Sequence, residues 1–359
     1  MSTVLPPGGI YNTVKDWVEA NVESVSQGVV FKEIYHETSF SRRMKRPPAR
    51  YPNKLEGGSV GVIPGGRVCG LNGAIITPDN RLIWDASLEF VHPRSNHSIF
   101  KVETLPPISH QYEQIADLTH VVGRNYYHWM YEVLPRVHLL RESGLPVERF
   151  IIKSEPDYVP FQSETLHRLS IADEQLIKTY EGFHIQADQL VVASQPTFAT
   201  KWGYDFLRKT FLSNNHINTP EKKRIYISRK WSRIITNEAE LWDILKPYGF
   251  IKVEAETLSV AEQVQLFSSA EIIIAAHGAC LVNLTFCMPG TIVIEIFSPT
   301  YITPLYWAIC SFGNLNHHYF IGHYAGGNRV QENRGWTGLD NITITPRKFA
   351  AYLRKLKLQ

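Results

Sequence analysis

Glu271-Ile272-Ile273-Ile274-Ala275-Ala276-His277-Gly278-Ala279-Cys280-Leu281-Val282-Asn283 is the stretch on which the fold turns. Its first five residues are short, apolar and rich in β-branched side chains, the pattern of a central strand in a parallel sheet covered on both faces. Small residues and Gly278 then bring the backbone close to whatever lies beyond the strand. Cys280 to Cys287 has helix length, carries Leu281, Leu284 and Phe286, and is closed by Pro289-Gly290. Such a turn sets free N–H groups at the carboxyl edge of a sheet, where an anionic ligand is favoured. The plainer reading, a tight strand-to-helix turn with a hydrogen-bonded His277, stays open at this point.

Around that turn the second half alternates strand and helix. Arg224–Ser228, Phe250–Val253 and Thr291–Ile296 read as strands. Asn237-x-x-Glu240 and Ser259-Val260-Ala261-Glu262 read as capping signals of the helices between them. Short loops joining such units predict a doubly wound parallel sheet with its ligand at the carboxyl ends of the strands. Neither GxGxxG nor GxxxxGK[ST] occurs, which removes the usual dinucleotide and P-loop readings and with them a nicotinamide-dependent oxidoreductase. Residues just after the strands converge: Ser228, Arg229 and Lys230 with Arg233, then His277, Gly278 and Ala279, then Glu295. Cations beside a helix start suit a diphosphate, and a carboxylate at a strand tip suits either ribose hydroxyls or a neighbouring arginine.

The chain has 359 residues, 44% hydrophobic and 20% charged, enough for two domains with cores of their own. A net charge of +3 gives no case for nucleic acid. The basic clusters Arg42-Arg43-Met44-Lys45-Arg46 and Arg354-Lys355-Leu356-Lys357 read as solvated surface, with weak peripheral membrane contact as the other use. No apolar run reaches the ~18 residues needed to span a membrane, and Met1 to Tyr11 lacks the regions of a signal peptide, so a soluble, cytoplasmic chain is expected. The four cysteines form no CxxC pair and read as reduced core residues.

In the first half, Met1 to about Pro52 reads as an arm, with a short helix at Tyr11–Val22 and a basic, proline-bearing stretch at Arg42–Pro52. Strands near Arg67–Cys69, Ala74–Thr77 and Arg81–Trp84 suggest a small antiparallel section. Gly57-Gly58-Ser59-Val60-Gly61 has the letters of a hydrolase nucleophile elbow without its strand-to-helix context, and reads as a flexible loop. Asn125–Leu140 is the strongest helix, capped by Asn125 and kinked by Pro135. His128, Glu132 and Arg136 share one face of it. A histidine and a carboxylate among Tyr126, Tyr127, Trp129 and Tyr131 suit a sugar site, in which rings stack on substrate and a base takes a hydroxyl proton; a Glu132–Arg136 surface ion pair is the alternative. A second histidine ligand at helical spacing is missing, so zinc is not indicated. Strands and helices from Phe150 to Leu212 make an α/β domain, and Ser213–Lys223 reads as the linker after it.

Three ordered blocks resemble glycosyltransferase family 61, which includes protein O-linked N-acetylglucosaminyltransferases, plant xylan pentosyltransferases and bacterial cell-envelope enzymes. They are Asn125-Tyr126-Tyr127-His128-Trp129; Tyr226-Ile227-Ser228-Arg229 with Arg233, Asn237 and Glu238; and His277-Gly278-Ala279 with Asn283, Phe286, Pro289-Gly290 and Glu295. The resemblance implies two facing Rossmann-like domains of GT-B type, a nucleotide-sugar donor on the second, no metal or other cofactor, and inversion at the anomeric carbon. The linker sets the acceptor-side domain at residues 1–215 and the donor domain at 216–335, and Thr345-Pro346 followed by Phe349, Leu353 and Leu356 at helical spacing predicts a carboxyl-terminal helix within 336–359, which the resemblance returns to the first domain. On this reading His128 is the base, with Glu132 orienting it or replacing it. Ser228, Arg229, Lys230, Arg233, His277, Gly278, Ala279, Asn283 and Glu295 bind donor, and Asn125, Tyr127 and Trp129 bind acceptor. The expected reaction is transfer from a UDP-sugar to a glycan hydroxyl in bacterial cell-surface polysaccharide synthesis; the alternative is a non-catalytic nucleotide- or glycan-binding protein of the same fold.

Overall fold

The computed structural model describes residues 4–21, 30–40, 47–153, 159–212, 222–325 and 338–358. The basic run Arg42–Arg46 and most of the Ser213–Lys223 linker, including the expected boundary at residue 216, lie outside these residues. Two compact units emerge, one of residues 1–39 with 54–206, the other of 40–53 with 207–359.

The first unit is built on a ten-stranded sheet. Its strands are β1 (Ile10–Tyr11), β2 (Val30–Tyr35), β3 (Gly58–Pro64), β4 (Arg67–Cys69), β5 (Ala74–Ile76), β6 (Leu82–Ile83), β7 (His110–Asp117), β8 (Arg149–Ile152), β9 (Leu176–Lys178) and β10 (His184–Ala193). β10 organises the rest: it runs parallel to β7 on one edge and antiparallel to β4 and β3 on the other. β7, β8 and β9 form a parallel run, while β4, β5 and β6 form a meander. The antiparallel strands are therefore part of the α/β sheet and not a separate section, and the sheet is mixed where a Rossmann-like one was expected. The glycine-rich stretch read as a flexible loop is largely strand β3, paired on both sides. Gly58 is needed there for packing, since a Cβ would lie 2.5 Å from Leu139.

Helical residues Tyr126–Glu142 lie over this sheet, and the chain from 129 to 133 is a π turn. Proline at 135 offers no N–H to the carbonyl four residues back and favours such a local widening. Arg136 on this helix is fully buried, not paired at the surface with Glu132. Its Nη2 donates to Asp117 Oδ2 at 2.5 Å and to the Asp117 carbonyl at 2.6 Å, and Nη1 donates to the Thr119 carbonyl at 2.7 Å. This pair ties the helix to the carboxyl end of β7. Arg136→Leu should destabilise the unit by about 3–5 kcal/mol in denaturant unfolding, because it strands a buried carboxylate; Asp117→Leu added to it should recover much of the loss.

The second unit carries a five-stranded, all-parallel sheet. In chain order its strands are β11 (Lys223–Ile227), β12 (Phe250–Val253), β13 (Ala270–Ala276), β14 (Ile292–Phe297) and β15 (Asn316–Ile321), and the spatial order is β12-β11-β13-β14-β15. The run 271–275 thus lies in the central strand. The segment after it is a 3-10 helix, Ala279–Phe286, rather than an α-helix. Ser259 caps its helix with the reciprocal Glu262 bond, whereas Asn237 makes no cap. Its side chain instead accepts from Ile344 N–H at 3.0 Å and donates to Ile344 C=O at 2.7 Å, pinning the approach to the last helix. That helix, Pro346–Lys355, buries Phe349 and Leu353 in a core with Leu245, Phe250 and Ile294. Its apolar face is thereby used within the second unit. The segment read as an arm also contributes here: Phe40 and Tyr51 set their rings edge-on to Trp307.

Candidate active site

In the first unit the residues at the helix start are positioned by backbone capping. Asn125 accepts from Tyr127 N–H at 2.9 Å, which fixes where His128 begins its turn. His128 Nδ1 lies 2.7 Å from Glu132 Oε2, and the side chains are 27% and 3% exposed respectively. His120, which follows β7, places Nε2 2.8 Å from the same carboxylate oxygen. Burial pushes the Glu132 carboxyl up, yet the two histidines outweigh it and hold it below the ordinary carboxylate range. An ionised Glu132 accepts a hydrogen bond from the Nδ1–H of His128, which leaves the Nε2 lone pair facing away from the carboxylate as a candidate base.

The neighbouring side chains correct part of the sequence reading. Trp129 is buried and donates Nε1–H to Thr165 Oγ1 at 2.8 Å, and Tyr127 is 5% exposed, so neither offers a ring face for an acceptor sugar. Asn125 serves as a cap. His120, His128 and Glu132 do bring three ligand-type atoms within 4.8 Å of one another. The hydrogen bonding disfavours a cation there: Val122 N–H donates to His120 Nδ1 at 3.2 Å, so the proton of the neutral ring belongs on Nε2, the nitrogen facing Glu132.

In the second unit the site grows from the ends of β11 and β13. The Nη1 end of Arg229 fills the space a side chain at Gly278 would need: a Cβ there would fall 1.5 Å from Nη1. The glycine backbone is extended, with φ 178°, so it is the guanidinium and not the backbone that demands glycine. Arg229 is braced by Nε to the Ser232 carbonyl at 2.8 Å and by Nη2 to Ser232 Oγ at 3.2 Å. Arg233, in the left-handed region at φ 52°, donates Nε–H to the His277 carbonyl at 2.7 Å and Nη1 to the Gly338 carbonyl. Two guanidinium groups therefore flank the His277-Gly278 turn, and Ala279 opens the 3-10 helix, whose first N–H groups lack intrahelical partners.

Other expected donor contacts sit elsewhere. Lys230 pairs with Glu254 at 2.5 Å. Ser228 donates its hydroxyl to Glu238 at 2.6 Å. Asn283 is fully buried and donates to Gln263 at 2.6 Å and to the Cys280 carbonyl at 3.0 Å. Glu295 is also fully buried, and its two oxygens meet His277 Nδ1 at 2.5 Å and His317 Nε2 at 2.8 Å. A carboxylate so enclosed is no ribose acceptor; it orients His277. Ser228, Asn283 and Glu295 are thus engaged within the protein and Lys230 in an exposed ion pair, while Arg229, Arg233, His277, Gly278 and Ala279 gather at the turn.

His120 and His317 were missed by sequence reasoning. His120 follows a strand whose first half, His110-Gln111-Tyr112-Glu113-Gln114, is polar and largely exposed, so β7 gave no apolar signal. Once β7 is recognised, the same rule that gathered Arg229 and His277 at strand ends finds His120. His317 lies one strand beyond the last that was read.

Residues 126–294 match the family model described as Glycosyltransferase 61, just under half of the chain. Among known proteins, the protein O-linked-mannose beta-1,4-N-acetylglucosaminyltransferase 2 of Xenopus tropicalis is 36% identical over 94 residues, which are 24% of this chain and 16% of that protein. Its Takifugu rubripes counterpart is 33% identical over 104 residues, 26% of this chain and 17% of the relative. The Homo sapiens protein is 34% identical over 102 residues, 26% and 18% of the two chains. The chain thus spans less than a fifth of the length of these relatives. The family match takes in the His128–Glu132 turn, both braced arginines and the His277-Gly278 turn, and the family this chain resembles is therefore glycosyltransferase family 61.

Proposed function

We propose that the chain is a glycosyltransferase that moves a sugar from a nucleotide-diphosphate donor, a UDP-sugar, to a hydroxyl of a glycan acceptor with inversion at the anomeric carbon. The observation that carries this reading is the pair of guanidinium groups braced around a glycine turn at the carboxyl edge of a parallel sheet. Fixed donors of this kind stabilise the charge that develops on a departing diphosphate. The His128–Glu132 pair supplies the other half of the chemistry: His128 Nε2 takes the acceptor proton as the hydroxyl oxygen attacks, and Glu132 faces the imidazolium that forms. One base and one leaving-group site suffice for a single in-line displacement, hence inversion. The tautomer set by Val122 argues against a cation held by His120, His128 and Glu132, and the absence of a metal requirement rests on the resemblance.

Cell-surface polysaccharide as the product and the cytoplasmic side of a membrane as the setting belong to this proposal and rest on the resemblance. Among the described residues no helix is long and apolar enough to cross a membrane. A purely binding protein of the same fold would need the diphosphate site but not the histidine–carboxylate pair.

The test is a panel of nucleotide sugars read in two ways, by the rise in melting temperature and by release of free nucleotide with and without a chelator. A donor at a hundred times its Kd adds about 2.7 kcal/mol of stability. A UDP-sugar should raise the melting temperature and be turned over equally with chelator present. Binding without release in the presence of glycan acceptors would favour the binding-protein reading, and loss of turnover on chelation would overturn metal independence.

A further inference from the structure

The buried chain His277–Glu295–His317 is larger than a phosphate contact requires. Glu295 sits within β14 with no exposed surface, held from one side by His277 and from the other by His317 on β15. Burial pushes the Glu295 carboxyl up and the His317 imidazole down to about 3, so His317 is a neutral donor to the carboxylate. His277 has its Nδ1 bonded to Glu295, while its Nε2 has no partner among the described residues and the ring keeps 4% of its surface exposed.

Among the described residues, Phe297 stacks on this ring and the charged and titratable groups facing it come from four segments. From β14 comes Glu295, backed by His317 on β15; from the loop after β11 come Arg229 and Arg233; from the 3-10 helix, Cys280; from beyond β14, Tyr301 and Tyr306. Burial raises the Cys280 thiol to about 11 and raises both tyrosines, so these three stay neutral. Burial also pushes His277 below its ordinary value; Glu295 opposes this, and the two arginines add to it. The imidazole is therefore neutral when the donor site is empty. Two negative phosphates placed on the arginines cancel their repulsion of a third positive charge, and Glu295 remains behind the ring as a counter-charge.

We propose that His277 takes up a proton from solvent as the donor diphosphate binds, so that its Nε2–H donates to a diphosphate oxygen while Glu295, fixed by His317, balances the charge. This deepens the glycosyltransferase reading and rests on it. In transfer, the bond between the anomeric carbon and the diphosphate oxygen breaks, its electron pair stays on that oxygen, and the imidazolium lies against the charge that develops. His277 keeps its proton until the nucleotide leaves. Glu295 and His317 are positioning residues: they set which nitrogen of His277 meets the ligand and supply its counter-charge.

The sign follows from linkage. His277 has the lower pKa in the free protein and the higher one in the complex, so donor affinity is greatest at low pH. It falls by up to about tenfold per unit as pH rises between the two values. The experiment is titration calorimetry of the full chain with the UDP-sugar that gives the largest rise in melting temperature, run near pH 7.5 in two buffers of different ionisation enthalpy. Uptake should approach one proton per donor bound, and histidine NMR of the unmodified protein should show one imidazole becoming imidazolium on donor addition. His277→Gln and Glu295→Gln should each abolish the uptake and flatten the pH dependence of binding. Donor binding with no proton uptake, or uptake that persists in His277→Gln, overturns the inference and leaves the transferase reading standing. Failure of every nucleotide sugar to bind overturns both.

Discussion

His128→Ala is expected to lower sugar transfer by roughly 10²- to 10⁴-fold, the range that a positioned general base contributes, while the donor still raises the melting temperature as it does in the unmodified chain. The expectation rests on geometry. Nδ1 faces Glu132 at 2.7 Å, leaving Nε2 as the nitrogen able to receive a proton, and the side chain keeps about a quarter of its surface exposed in a unit that does not contain the arginines. Glu132→Gln should cost less, because a glutamine oxygen still accepts from Nδ1 and holds the tautomer. What it loses is the negative charge opposite the imidazolium that forms in the transition state. Acceptor-independent hydrolysis of the donor gives a third measurement, since water needs the same base. Transfer that survives in His128→Ala but fails in Glu132→Gln would give the role to the carboxylate; equal loss of donor binding in both variants would mean that the pair shapes the site instead.

The two halves of the chain differ in how much their sequence discloses, and the difference has a physical cause. In the second unit the inner strands β13 and β14 are enclosed on both faces, so 272–276 and 292–294 read as apolar runs and the residues at their ends can be gathered without coordinates. The first unit hides its central strand: β7 is exposed over its first half and becomes buried only from Ile115. Without β7 the meander looked like a separate antiparallel piece, and His120 had no place in the site. Chemical type was legible and side-chain direction was not. Arg229, Lys230 and Arg233 are all cations after one strand, yet Lys230 turns to Glu254 while the arginines brace the glycine turn. Glu295 likewise looked like a carboxylate at a strand tip. Its register opposite Ala275 and Tyr319 places it between the histidines of the adjoining strands, inside the sheet's covering. Trp129 and Tyr127 read as sugar-stacking rings because an aromatic helix face has the same letters whether it meets a ligand or a core.

Arg229→Ala and Gly278→Ala should both lower kcat/KM by about 10²- to 10³-fold, the loss seen when one preorganised donor at a developing charge is removed, and the two should do so for one reason. Arg229 is half-buried on the face of Gly278, and an alanine methyl would arrive 1.5 Å from Nη1 and 2.5 Å from Cζ. The methyl meets the far end of a flexible side chain, not backbone, and residue 278 is in an extended conformation open to alanine. The fold should therefore survive, with a melting temperature near that of the parent, while the guanidinium swings off its Ser232 bonds and out of line with the phosphates. Arg233 keeps its bond to the His277 carbonyl in either variant, which leaves one cation in place and a residual activity. Because both substitutions act through the position of a single guanidinium, the double variant should be no worse than the poorer single one, a coupling as large as either effect. Losses that multiply in the double variant would separate the two residues, and near-parental activity in Gly278→Ala would mean that Arg229 does its work from a position other than the one it holds here.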